Sequence, residues 1–297
     1  MFCGYDCTPQ KTTVFLSKDK EVYRIPALFY DKDKEIFLAF AEQRDTADDA
    51  SAKNLVMKTG TLKEEMCGVK TIEVIITSDC FISICFIYTT LNSFYYTYTK
   101  KNGQEKTKSY ALSLYSDDSG ETWHLGKMLQ NESDECFDDE GSFVYCNARS
   151  TRGNRVEAVS ENKGADLKHQ SANKLVETGG GCQGSVVSFP AEGKDANPNK
   201  WLLFTHPSDQ SKRVNLGVYL NKSPRDPFAW STPWILNSGP SGYSDLAYFG
   251  DGWFACLVEC GQNKEIEQVA CVLFASDSWY KKNKKKGNQH FLESLQK

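Results

Sequence analysis

The chain has 297 residues, 40% hydrophobic and 12% aromatic, enough for one large β domain or two ordinary ones and too apolar for a disordered chain. Its formal net charge is −4 with a sequence pI of about 5.7, so nothing global points to nucleic acid, which needs a basic face.

The first residues, Met1–Thr13, contain no apolar h-region, and no signal peptide is expected. The eleven cysteines are scattered. The closest pairs, Cys3/Cys7 and Cys256/Cys260, are spaced C-x3-C, and no His or Cys pair completes a zinc pattern. Reduced thiols facing the cytosol are expected.

In chain order, Thr12–Leu16 reads as a strand. Two further strand-like runs, Tyr23–Tyr30 and Glu35–Ala41, flank the turn Asp31–Lys34, which is a hairpin signal. Arg24 lies on the first arm within an apolar segment, and Arg44 lies just past the second. A guanidinium cannot shed its proton to escape burial, so it needs an anionic partner. Two arginines at one end of a hairpin suggest a ligand carboxylate or phosphate. The stretch Cys80–Thr99 lacks charge, but its apolar core is about nine residues, short of the roughly 20 of a spanning helix. Its β-branched and aromatic content reads as strands. Strand-like runs follow at Tyr110–Tyr115, Ser142–Cys146, Ser185–Phe189, Trp201–Thr205, Leu216–Leu220, Trp253–Val258 and Gln268–Phe274. No amphipathic helical window competes with them, so the chain is expected to be all-β: a sandwich, barrel or propeller.

Ser116-Asp117-Asp118-Ser119-Gly120-Glu121-Thr122-Trp123 follows one of these runs, and a degenerate copy stands at Ser160, Asn162, Gly164 and Asp166-Leu167. In such a turn an Asp bonds amides, a Gly supplies positive φ and a Trp packs between strands. A spacing of about 40–50 residues is one propeller blade.

The first copy resembles the Asp box of sialidase-type propellers, and other segments extend the likeness. Tyr23-Arg24-Ile25-Pro26 resembles the Y/F-R-I-P motif of exo-sialidases, and Ala41-Glu42-Gln43-Arg44 the second arginine segment of the animal enzymes. Leu175–Phe189, Trp234–Leu246 and Cys256–Gly261 are most similar to the animal plasma-membrane ganglioside sialidases, with the cytosolic sialidases next. The resemblance implies a six-bladed β-propeller over residues 1–275, followed by a basic tail, 276–297. Little from about Leu62 to Asn92 resembles the family, which normally carries roughly two more blades there. The ring is therefore expected to be incomplete, with blades missing around residues 62–92.

The same resemblance assigns roles. Arg24, Arg149 (in Tyr145–Arg149) and Arg213 (in Lys212–Gly217) would bind the carboxylate on the anomeric carbon of sialic acid, since guanidinium pairs with it bidentately. Arg44 would join them, and Glu259 would orient Arg24. Tyr243, in Gly242–Leu246, matches the nucleophile, and Glu135 its base. A neutral phenol avoids the repulsion that a carboxylate nucleophile would meet, and sialidases are a known exception with a Tyr nucleophile. Asp49, five residues after Arg44, would be the acid/base, with Asp45 and Asp48 as competing registers. Gln183, Tyr96 and Tyr98 would line the pocket. The four histidines form no ligand pattern or triad, Gly179–Gly181 opens no helix, and no metal or cofactor is expected. The implied reaction is release of terminal sialic acid from gangliosides, oligosaccharides or glycoproteins through a tyrosyl-enzyme intermediate. The alternative is a catalytically impaired homologue that only binds sialic acid. The run Lys281–Lys286 reads either as a solvated tail or as attraction to anionic lipid. The expected location is cytoplasmic or peripheral to the plasma membrane, with a sialylated glycolipid or glycan as partner.

Overall fold

A computed structural model describes residues 9–65, 69–75, 94–101, 104–111, 114–115, 124–125, 136–138, 143–150, 153–162, 166–170, 174–191 and 200–276, with side chains described outside 64–142. The Asp box at 116–123, Glu135 and the tail 277–297 lie outside the described residues, as does most of Cys80–Thr99. The described chain is strands and two 3-10 turns. The strands are β1 (Gln10–Leu16), β2 (Val22–Asp31), β3 (Ile36–Arg44), β4 (Ala52–Glu65), β5 (Val69–Ile75), β6 (Phe94–Lys101), β7 (Gln104–Ala111), β8 (Leu114–Tyr115), β9 (His124–Leu125) and β10 (Cys136–Asp138). There follow β11 (Val144–Ala148), β12 (Val156–Ser160), β13 (Lys168–Gln170), β14 (Ser185–Pro190), β15 (Lys200–Pro207), β16 (Val214–Asn221), β17 (Trp234–Gly250), β18 (Trp253–Cys260) and β19 (Gln268–Ala275). No helix among the described residues is long and apolar enough to cross a membrane.

The chain divides into two units, residues 1–81 with 239–297, and residues 82–238. In the first, β2–β5 form a four-stranded antiparallel meander. The expected hairpin is β2–β3, with Asp31 closing its turn by accepting from the amides of Asp33 and Lys34 at 3.1 Å. Strands β4 and β5 complete the meander through residues 62–65 and 69–75, part of the stretch with little family likeness. A second meander joins β1, β19, β18 and the Gly239–Gly250 part of β17. The two pack together through Val14, Phe15, Phe37, Leu257 and Val269, each at most 5% exposed. Phe37 meets Tyr30 at 4.7 Å and Phe249 edge-on at 5.2 Å. The Leu28 amide donates to Asp245 Oδ2 at 2.7 Å, which ties β2 to β17.

In the second unit β10–β13 form another four-stranded antiparallel meander, and β14, β15 and β16 a further one that continues into the start of β17. Four-stranded antiparallel meanders are the unit of a propeller blade. The degenerate box sits on the β12–β13 turn. There Asn162 Oδ1 accepts from Ser160 Oγ at 2.7 Å and from the Asp166 amide at 2.9 Å, the turn chemistry expected of it. The full box lies between β8 and β9, which pair antiparallel. One expectation is corrected. Cys182, Cys256, Cys260 and Cys271 are buried and not in disulfides, but Cys146 is disulfide-bonded. A disulfide is made by tertiary contact, which the linear spacing of the cysteines does not reveal.

Candidate functional site

In the first unit the site is built on two bulges. Register slips between Arg24 and Ala27 in the β2–β3 pair, and between Ser241 and Ser244 in the β17–β18 pair. Bulges re-aim side chains and favour the neighbourhood of active sites. At the first, Ile25 holds φ +55, a genuine outlier for a β-branched residue. Glu259, on β18 and fully buried, offsets that strain. Its Oε1 accepts from the Ile25 amide at 3.0 Å and from Arg24 Nε at 2.6 Å. Its Oε2 accepts from the Tyr243 amide at 3.1 Å. One carboxylate thus fixes both bulges. A Cβ on Gly242 would stand 2.4 Å from Glu259 Oε2, so only glycine fits before Tyr243. The Arg24 guanidinium lies 5.4 Å from the Tyr243 ring centroid. Burial pulls the Arg24 pKa down, but the Glu259 charge and hydrogen bond outweigh it and the net shift is upward.

The acidic loop joins the same set. Arg44, with a side chain 2% exposed, donates from Nε and Nη2 to Glu42 Oε2 and from Nη1 to Asp49 Oδ1 at 2.5 Å. Arg24 Nη1 and Arg44 Nη1 share the Ala47 carbonyl, at 3.4 and 3.3 Å. The three candidate carboxylates separate here. Asp48 caps the 3-10 turn Asp49–Ser51 through the Ala50 amide, Asp45 pairs with Lys53, and Asp49 meets Arg44 with its side chain 89% exposed.

In the second unit Arg149 and Arg213 are both half-buried and meet at one loop. Gly181, at φ +91, gives its carbonyl to Arg213 Nη2 at 2.9 Å, and a Cβ there would stand 2.7 Å from Arg149 Nε. Gln183 follows, half-buried, two residues on. Tyr96 and Tyr98 lie in β6, in register with Ser109 and Thr107. Sequence reasoning missed Arg155 and Glu177. Both side chains are fully buried and joined, Arg155 Nη1 to Glu177 Oε2, at 2.8 Å. Arg155 also donates to Asn147 Oδ1 and to the Cys182 carbonyl. Glu177 accepts from the amides of Thr178 (2.9 Å), Cys182 (3.1 Å) and Ser150 (3.2 Å). The signal available was three arginines, 149, 152 and 155, at equal spacing, which does not say which one faces inward. Among the described residues no cluster of His, Cys, Asp or Glu is placed to hold a metal ion.

Burial pushes the Glu177 carboxyl up, but His206, the Arg155 charge and the Thr178 amide hold it down, at about 2. His206 Nε2 lies 2.9 Å from Glu177 Oε1, off the line of a good hydrogen bond, and burial keeps the imidazole below its ordinary range and therefore neutral at pH 7. A depressed carboxylate stabilises the fold above its unfolded pKa and loses that contribution as pH falls through the folded one. A depressed histidine acts in the same direction. The expected outcome is a melting temperature that falls as pH drops from about 6.5, where charging His206 begins to oppose folding, towards about pH 2, where Glu177 takes up its proton. The same scan on Glu177→Gln is expected to be flatter across that window.

The BNR repeat-like domain family matches residues 87–256, more than half of the chain. The chain is 40% identical over 208 residues to Sialidase-3 of Rattus norvegicus, covering 57% of this chain and 50% of that protein. It is 43% identical over 183 residues to Sialidase-2 of Cricetulus griseus, covering 58% and 48%. It therefore spans about half the length of the curated relatives it matches. Among solved structures, a Trypanosoma rangeli sialidase in complex with the inhibitor DANA superposes with a TM-score of 0.57 at 14% identity, covering 95% of this chain and 62% of that one, a likeness of fold. The chain thus belongs to the BNR repeat-like family, and within it is a homologue of the animal sialidases with the all-β, propeller-type fold of that group.

Proposed function

We propose that the protein is an exo-α-sialidase that removes terminal sialic acid from gangliosides, oligosaccharides and glycoproteins through a tyrosyl-enzyme intermediate. One observation carries the reading. Tyr243, Glu259, Arg24, Ala47, Arg44 and Asp49 form one linked set within the first unit. In this reading Tyr243 is the nucleophile, Arg24 the guanidinium for the substrate carboxylate and Asp49 the acid. Arg44, spent on Glu42 and Asp49, serves by holding the acid loop.

By the family pattern, Arg149 and Arg213 add two guanidiniums for the carboxylate, Glu135 acts as base, and Gln183, Tyr96 and Tyr98 contact the rest of the sugar. The Tyr243 oxygen bonds to the anomeric carbon while its proton passes to Glu135. The bond to the leaving oxygen breaks as Asp49 protonates it. Water, deprotonated by Asp49, then displaces the phenolate, which regains its proton from Glu135, and the configuration is retained. The assigned location is cytoplasmic or peripheral to an anionic membrane, and sedimentation with anionic against neutral vesicles separates these.

The half-length match favours a second reading, a homologue that binds sialic acid without turnover. Release of a fluorogenic α-sialoside, measured beside the thermal shift with a sialic acid glycal, decides. Turnover above background is expected. A glycal-induced shift without turnover establishes the second reading, and neither signal rejects both.

A further inference from the structure

Glu177 has no place in the chemistry above, yet its hydrogen bonds reach the peptide groups beside Arg149 and the loop that meets Arg213. Its four clear donors come from three separate stretches of chain. The Ser150 amide follows Arg149 directly. The Cys182 amide lies between Gly181, which touches Arg149 and Arg213, and Gln183. Thr178, whose amide also reaches the carboxylate, passes its own hydroxyl to the Lys212 carbonyl at 2.6 Å, one residue before Arg213. Arg155 Nη1 is the fourth donor and clamps the Cys182 carbonyl as well, at 2.6 Å.

We infer that Glu177 is a positioning residue that sets the Arg149 and Arg213 guanidiniums to receive an anionic sugar, with Arg155 as its fixed counter-charge. The inference rests on the reading that those two arginines bind the substrate carboxylate. Only a carboxylate meets the demand. Two oxygens receive four donors, and a glutamine in its place would turn an NH2 against an amide N–H and leave Arg155 buried without its anion. Arg155 is thereby excluded as a substrate ligand, because its side chain is fully buried and already committed. A deep carboxylate thus orders two arginines it does not touch, through the peptide groups beside them.

The test compares two probes, sialic acid glycal as the free acid and its methyl ester, whose binding is read by ligand-observed NMR. Glu177→Gln is expected to weaken the acid about tenfold or more, the scale of one charge-assisted hydrogen bond, and to leave the ester unchanged. Thr178→Val keeps the buried pair and removes the link to Lys212. It is expected to give a smaller loss confined to the acid, and it remains readable if Glu177→Gln does not fold. Equal losses on acid and ester in the folded variants, or no loss on the acid, overturn the proposal. Arg213→Ala runs in parallel. If it leaves the acid unaffected, the carboxylate reading fails, and the inference with it. If it weakens the acid while both other variants bind like wild type, the positioning role alone fails.

Discussion

Tyr243→Phe is expected to lower kcat on a fluorogenic sialoside by on the order of 10³-fold or more, while the affinity for the glycal and the melting temperature stay near wild type. Removing a covalent nucleophile deletes the step itself, and what survives is binding and electrostatic help. The ring should remain in place for reasons independent of the hydroxyl. The Tyr243 amide is held by Glu259, the bulge before it is fixed by Gly242, and the Arg24 guanidinium lies 5.4 Å from the ring centroid. A loss of turnover with binding retained therefore reports on chemistry and not on folding. Turnover of Tyr243→Phe equal to wild type removes Tyr243 from the nucleophile role and rejects the tyrosyl mechanism.

How far the sequence reached depends on what each feature rests on. The β2–β3 hairpin was legible because a charged turn divides two apolar runs, and period and turn chemistry are local. The Arg24–Glu259 pair was legible only through family likeness, since 235 positions separate its members. The bulge at Ile25 was not legible: a β-branched residue at positive φ contradicts local preference and persists because Glu259 reaches its amide. Among the acidic cluster, only geometry separated Asp49 on Arg44 from the capping Asp48. The Glu177–Arg155 pair escaped for a related reason. Buried ion pairs are made by tertiary contact, and on paper both residues look like the surface charges that most Glu and Arg are. Strand β5 was passed over because likeness to the family fades there, although the alternation Thr71-Ile72-Glu73-Val74 is a strand signal by itself.

Glu259→Leu is expected to destabilise the protein by about 3–5 kcal/mol and to abolish detectable turnover, with urea unfolding and the sialoside assay as readouts. The cost arises because Arg24, 8% exposed, would be left charged and without its anion, while the Ile25 and Tyr243 amides lose their acceptor. The double variant Arg24→Leu with Glu259→Leu separates fold from function. Removing both charges removes the uncompensated guanidinium, so part of the stability should return. The two orphaned amides keep it below wild type. Turnover should not return, because the guanidinium is what the substrate carboxylate needs and the second leucine cannot replace it. Recovery of turnover together with stability in the double variant would show that Arg24 only supports the fold, and the carboxylate would then have to be bound without it. Stability that stays at the level of Glu259→Leu would mean instead that the cost lies in the two bulges, held by amide hydrogen bonds, and not in the buried charge.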